Sequence, residues 1–216
     1  MKEGLTEIVC ILDRSGSMGS LQEETITKFN AFVEEQKDVP GDALVTVVLF
    51  DDQYDVLHAS LPLPELPKLT SKDYFARGWT ALNDALGKTI AEVGGRLDGM
   101  AEEDRPEKVI FMIITDGLEN KSQEFPGEDG RLKVKAMVDH QREKFSWEFM
   151  FLGAKMDAVQ VGGGYGVQVN MCASFGHSGK GVSSAYSASG KRLRAMRCMP
   201  SEDYKGLHAL DQDTEK

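Results

Sequence analysis

Leu5-Thr6-Glu7-Ile8-Val9-Cys10-Ile11-Leu12-Asp13-Arg14-Ser15-Gly16-Ser17 is the stretch on which the reading of the fold turns. From Leu5 to Leu12 it is a short apolar run, β-branched in part, of the kind that forms a strand buried on both faces. It stops on a carboxylate, followed by two serines around a glycine. On an extended stretch leaving a strand, alternate side chains point the same way, so Asp13, Ser15 and Ser17 can converge. Gly16 is expected to let the backbone turn tightly between the serines.

Outward from this stretch the pattern alternates between strand and helix. A helix is expected from about Leu21, with Ser20 and Glu23 spaced as a capping box and Ile26, Phe29 and Val33 on one face. Pro40-Gly41 ends it. Ala43 to Phe50 reads as a second buried strand, and Asp51-Asp52-Gln53 as a turn into an antiparallel edge strand over Tyr54 to Leu61. Residues 62 to 71, with Pro62, Pro64 and Pro67, read as a surface loop. A helix follows from Ala81 to about Leu97. Val109 to Thr115 is the most apolar strand and ends at Asp116-Gly117. A helix over about Leu132 to Phe145 and a strand over Trp147 to Leu152 come next. Val167 to Ala173 is expected to be the last strand and Ser183 to Arg197 the last helix. This alternation predicts an α/β, Rossmann-like doubly wound fold: a mostly parallel sheet with one antiparallel edge strand and helices on both faces. One domain is expected over residues 1–198, with a polar, acidic, loosely ordered tail over 199–216.

In such sheets function gathers on loops leaving the carboxyl ends of strands. Three loops there carry oxygen-bearing side chains. Asp13, Ser15 and Ser17 follow the first strand, Thr80 precedes a helix, and Asp116 follows the strongest strand. Two carboxylates and three hydroxyls make a hard, all-oxygen set suited to Mg²⁺, Mn²⁺ or Ca²⁺ rather than zinc.

These residues resemble the metal-ion-dependent adhesion site of von Willebrand factor A domains: Asp-x-Ser-x-Ser after strand one, a threonine on a second loop, an aspartate on a third. The resemblance covers roughly residues 4 to 197. Ile11 to Met18, Phe29 to Gln36 and Thr115 to Asn120 are similar to stand-alone bacterial and phage proteins made of little more than this domain. The resemblance implies one bound ion, with Ser15, Ser17 and Thr80 as direct ligands and Asp13 and Asp116 acting mainly through waters. It implies that the remaining position takes an Asp or Glu of a protein partner, and that the chain is an adaptor rather than an enzyme. Related domains often work beside an ATPase, kinase or phosphatase.

Two other functions meet the same residues. A Mg²⁺-dependent phosphatase-like hydrolase also places an aspartate after strand one, but needs a second Asp two residues on, where Ser15 stands. A purely structural metal would serve stability alone.

The rest of the chain sets bounds. A net charge of −10 argues against general nucleic-acid or anionic-membrane binding. No run of about 18 apolar residues exists to span a bilayer. Cys10, Cys172 and Cys198 are odd in number and far apart, which disfavours zinc and disulfide frameworks and suits a reducing cytoplasm. Trp79 is either a core filler or a ligand-facing aromatic, with packing in the core the favoured reading; Asp51 and Asp52 are expected to belong to the hairpin turn alone, and Glu119 and Asn120 to a surface loop rather than the binding face. His58, His140, His177 and His208 show no ligand spacing. Gly162 to Gly166 reads as a glycine-rich loop. Gly176-His177-Ser178-Gly179-Lys180-Gly181 fails the phosphate-loop pattern, with Ser174 where its first glycine belongs. Lys191, Arg192, Arg194 and Arg197 fit the dipole of the last helix.

Overall fold

The computed structural model describes residues 1–200 and Asp203, so the expectation of a loose acidic tail lies almost entirely outside the described residues. Six strands form one sheet in the order β3-β2-β1-β4-β5-β6. They span Lys2–Asp13 (β1), Ala43–Phe50 (β2), Tyr54–Pro62 (β3), Pro106–Thr115 (β4), Glu148–Ala154 (β5) and Cys172–Phe175 (β6). Every neighbouring pair is parallel except β2 with β3, which closes one edge as an antiparallel hairpin. The helices are α1 (Gln22–Lys37), α2 (Leu82–Asp98), α3 (Gly127–Phe145), α4 (Ala158–Gly164) and α5 (Gly179–Cys198). The expected fold class is the observed one.

Strand β1 sits mid-sheet because its side chains can be buried on either face: Ile8, Val9, Cys10, Ile11 and Leu12 are all at most 1% exposed. One face is sealed by α1 and α5, where Phe29 and Phe32 of α1 pack at 6.4 and 6.0 Å on Tyr186 of α5. Phe111 of β4 stacks on Trp147, the residue before β5, at 5.4 Å and packs tilted against Phe149 of β5 at 4.8 Å. Chain order reverses between β1 and β4, which lie side by side. A crevice at the carboxyl ends of two such strands is where open α/β sheets bind ligands.

Several local expectations are corrected. The Ser20–Glu23 capping box does not form: a 3₁₀ turn over Gly16–Leu21 leads straight into α1, whose cap position is Leu21, with no side-chain hydrogen bond. The proline-containing segment after β3 is not merely surface, since Leu63, Leu66 and Leu69 are buried. Asn30 fixes its end by donating to the Leu69 carbonyl at 2.9 Å and accepting from its amide at 2.8 Å. Part of the expected last strand, Val169–Met171, is a 3₁₀ turn, and β6 begins only at Cys172. The glycines at 162 to 164 belong to α4. A side chain at Gly162 would lie 2.7 Å from Cys172 Sγ and 3.0 Å from Phe151 Cβ, so the helix needs glycine to approach the sheet. Arg197 does more than suit a helix dipole. It is buried and donates to the carbonyls of Gln36 at 2.7 Å and Gly41 at 3.0 Å, tying the end of α5 to the end of α1.

Candidate functional site

The three oxygen-bearing loops meet at the β1/β4 crevice. Asp13, the last residue of β1, is fully buried. Its Oδ1 accepts from the Ser15 amide at 2.6 Å and its Oδ2 from the Thr115 hydroxyl at 2.5 Å. Ser15 stands at the start of the 3₁₀ turn but spends no hydroxyl on capping it. Its Oγ instead lies 3.1 Å from Ser17 Oγ, and Ser17 in turn donates to Asp116 Oδ1 at 2.5 Å. The first loop and the β4 loop are therefore joined through Ser17 and Asp116, residues 99 positions apart in sequence.

Thr80 arrives from the second loop, clamped by the third. Its amide donates to Asn120 Oδ1 at 3.0 Å while its carbonyl accepts from the Asn120 amide at 2.9 Å. Thr80 Oγ1 lies 2.7 Å from where a Cβ on Gly117 would be, so its hydroxyl rests against the loop that carries Asp116. The second loop is also stitched to the first. Gly16 donates to the Gly78 carbonyl at 3.2 Å, and Arg77 to that of Arg14 at 2.9 Å. Gly78 has φ +65°, and a side chain there would overlap Asp52. Gly16 matters less as a free hinge than as a place of close approach, 3.3 Å from its ideal Cβ to the Gly78 oxygen.

No protein-family model matches the chain, and no curated protein matches it by sequence. Solved structures do match in shape. The vWF domain of the type V pili tip protein Mfa5 from Porphyromonas gingivalis aligns with TM-score 0.62 at 9% identity, over 90% of this chain and 97% of that one. A von Willebrand factor type A protein from Catenulispora acidiphila aligns with TM-score 0.52 at 12% identity, over 89% and 42%. The manganese-loaded TRAP protein of Plasmodium vivax aligns with TM-score 0.52 at 17% identity, over 71% and 58%. The chain thus spans less than two thirds of two of these three neighbours. Its fold is that of the von Willebrand factor A domain.

On this fold, the electrostatics of the crevice bear on what it can hold. Burial pushes the Asp13 carboxyl up from 3.8 to about 6, against hydrogen bonds from Thr115 and Ser15 that pull it down, and the Asp116 charge adds to the rise. Arg14, although it sits between Asp13 and Ser15, does not relieve that charge. Its Nε donates to Asp51 at 3.0 Å and its other arm is paired with Asp55. Two carboxylates and three hydroxyls on fixed loops, with the sequence-adjacent guanidinium committed elsewhere, suit a hard divalent cation. The separation of the two serine oxygens, 3.1 Å, is close to the edge of an octahedron with arms of roughly 2.1 Å, about 3.0 Å. Among the described residues, no group of three or more His, Cys, Asp or Glu forms an alternative metal cage.

Residues outside the expected set take part. Thr115 is read in sequence only as the end of a strand, yet its hydroxyl holds Asp13 and accepts from the Gly117 amide at 3.1 Å. Asp51 is not confined to its turn: fully buried, it accepts from Arg14, from Arg77 Nε at 2.6 Å and from the Gln53 amide at 2.6 Å. Asp52 accepts from the Trp79 amide at 3.2 Å. Glu119 is structural, accepting from the amides of Asn83, Lys121 and Ser122 at 2.7 to 2.8 Å. His177, which has no ligand spacing in sequence, reaches Asp116 Oδ2 with Nε2 at 2.8 Å. Trp79 does not pack in the core. It is 62% exposed beside Thr80, as Leu118 is 59% exposed beside Gly117.

Proposed function

We propose that this chain is a divalent-cation-dependent protein-binding module. Asp13, Ser15, Ser17, Thr80 and Asp116 would hold one Mg²⁺, Mn²⁺ or Ca²⁺, and an Asp or Glu of a protein partner would complete its shell. The observation that carries this reading is the linked run of oxygens from Ser15 Oγ through Ser17 Oγ to Asp116 Oδ1 at the β1/β4 switch point. The cation supplies a positive charge that the mostly neutral hydroxyl ligands leave uncompensated, which favours an incoming carboxylate. The residues do the rest. Asp13 fixes the first loop through the Ser15 amide, Asn120 fixes Thr80, and Ser17 fixes Asp116. Exposed Trp79 and Leu118 beside the site offer apolar contact area of the kind that anchors interfaces. That a neighbour of the same fold was crystallised with manganese is in keeping with this reading. Binding also suits this site better than catalysis does, because the position two residues after Asp13, where a phosphatase of this kind needs a second carboxyl, is Ser15.

The test is affinity capture from lysate of the encoding organism in millimolar Mg²⁺. Controls are EDTA and a Ser15→Ala/Ser17→Ala double variant shown to be folded by circular dichroism. A partner held by the wild type and lost in both controls is the expected result. Equal capture in all three overturns the metal-bridged reading.

A further inference from the structure

His177 stands in the turn between β6 and α5, immediately before Ser178, the residue that caps α5 by accepting from the Gly181 amide at 3.1 Å. The turn is held shut by a bond from the Ser178 amide to the Gly176 carbonyl at 2.8 Å. It projects the imidazole into the candidate site, where Nε2 lies 2.8 Å from Asp116 Oδ2 and 3.3 Å from the Ser17 carbonyl oxygen. Both partners are acceptors. A ring nitrogen facing a carboxylate and a carbonyl is stable only when it carries the hydrogen, which assigns the Nε2–H form. The pair is also sequestered, with the His177 side chain 12% exposed and that of Asp116 fully buried, so this is not a passing surface contact.

The two oxygens of Asp116 are thus divided between two donors. Oδ1 accepts from Ser17 and Oδ2 from His177. A carboxylate held at both ends cannot swing, and its orientation toward the other donors is set before any ion arrives. Outer partners that orient ligands in this way typically account for 10- to 100-fold in metal affinity. We propose that His177 is a positioning residue of the cation site: by donating from Nε2 to Asp116 Oδ2, it fixes the carboxylate whose Oδ1 Ser17 already holds, and so raises the affinity for the ion. This rests on the cation-binding reading above. It also commits His177 to Asp116 Oδ2, the oxygen that the Ser17 hydroxyl does not hold, and not to a place among the ligands.

The experiment uses Mn²⁺ alone as probe, on the full chain, with titration calorimetry and electron spin-echo spectroscopy. The variants are His177→Leu, which keeps bulk but has no donor, and His177→Gln, whose amide can donate to the same oxygen. Wild type is expected to bind Mn²⁺ without imidazole nitrogen coupling in the spin-echo signal. His177→Leu is expected to bind 10- to 100-fold more weakly, and His177→Gln to recover most of the loss. Metal-free thermal unfolding separates a folded weak binder from a collapsed one. If His177→Leu does not fold, His177→Gln decides, since a folded His177→Gln that binds as poorly as Ser15→Ala/Ser17→Ala sinks the proposal. Unchanged affinity in His177→Leu overturns the positioning role but leaves the cation site standing. A directly coupled nitrogen in wild type overturns it by making His177 a ligand. Failure of wild type to bind Mn²⁺ removes the underlying reading and this inference together.

Discussion

Arg14 and Asp51 form an ion pair at 3.0 Å in which both side chains are at most 4% exposed. The pair adjoins the candidate site along the chain, since Arg14 is flanked by Asp13 and Ser15. Arg77 shares the same Asp51 oxygen at 2.6 Å, and the guanidinium carbons of Arg14 and Arg77 lie 5.6 and 5.1 Å from the centre of the Phe75 ring. One buried carboxylate therefore connects the β2–β3 turn to two of the three site loops. Breaking a buried pair from one side costs about 3–5 kcal/mol when the remaining charge is left alone, and less here, because Arg14 keeps Asp55 and Arg77 is 36% exposed. Asp51→Ala is expected to destabilise the chain by about 1–3 kcal/mol in urea unfolding and to weaken Mn²⁺ binding. A loss below about 1 kcal/mol would show that the cluster is not what holds the loops.

Gly117 is predicted to be intolerant of even a methyl group. A Cβ there would meet Thr80 Oγ1 at 2.7 Å and Thr80 Cγ2 at 3.4 Å. Thr80 cannot step aside easily, because it is β-branched and its backbone is bound on both sides by Asn120. Gly117→Ala should cost about 1–3 kcal/mol as overpacking and lower Mn²⁺ affinity by roughly tenfold. Calorimetry on the folded variant checks this, and wild-type affinity would mean that Thr80 has room the contacts do not show.

The pattern of buried strands was legible because a doubly wound sheet buries its central strands on both faces, so Ile8–Leu12 and Val109–Ile114 are unbroken apolar runs. Asp13, Ser15, Ser17, Thr80 and Asp116 could be proposed together because each is adjacent to such a strand end or helix start. His177 could not be found that way. Its contact with Asp116 spans 61 residues and depends on how the β6–α5 turn is aimed, which no local periodicity encodes. The wider role of Asp51 is hidden for a similar reason, because Asp-Asp-Gln is good turn chemistry whether or not two arginines arrive from elsewhere. The outward face of Trp79 is not legible in sequence, because an aromatic beside a helix start fits core and surface equally well. Its backbone is set by the positive φ of Gly78 before it and by the Trp79 amide donating to Asp52.

Trp79 supplies an optical readout. The chain has two tryptophans. Trp147 is 5% exposed and stacked on Phe111, far in sequence from the site loops, whereas Trp79 is 62% exposed beside Thr80. Mn²⁺ titration is expected to change tryptophan emission in wild type and in Trp147→Phe but not in Trp79→Phe. Because Trp79 is largely exposed, Trp79→Phe should leave stability within about 0.5 kcal/mol of wild type. A signal that follows Trp147 instead would place the ion-sensitive region away from the second loop.

Asp13 makes cation affinity depend on pH in a defined direction. In the metal-free chain burial raises its carboxyl from 3.8 to about 6, so between those values the folded protein holds a proton that the unfolded chain has released. The stability tied to that proton is fully present below about 3.8 and is lost as pH rises through about 6, an effect on the order of 3 kcal/mol. Cation binding needs the ionised form and must displace the proton. Mn²⁺ affinity is therefore expected to climb up to tenfold per pH unit toward about 6 and to level off above it, while the metal-free chain becomes less stable over the same range. Calorimetry from pH 5 to 7.5 in buffers of different ionisation enthalpy measures both the affinity and the released proton. The slope should persist in His177→Gln, which has no imidazole, and vanish in Asp13→Asn. Affinity that does not change between pH 5 and 7 in wild type would mean that Asp13 is already ionised in the metal-free protein, its hydrogen bonds from Thr115 and Ser15 outweighing its burial.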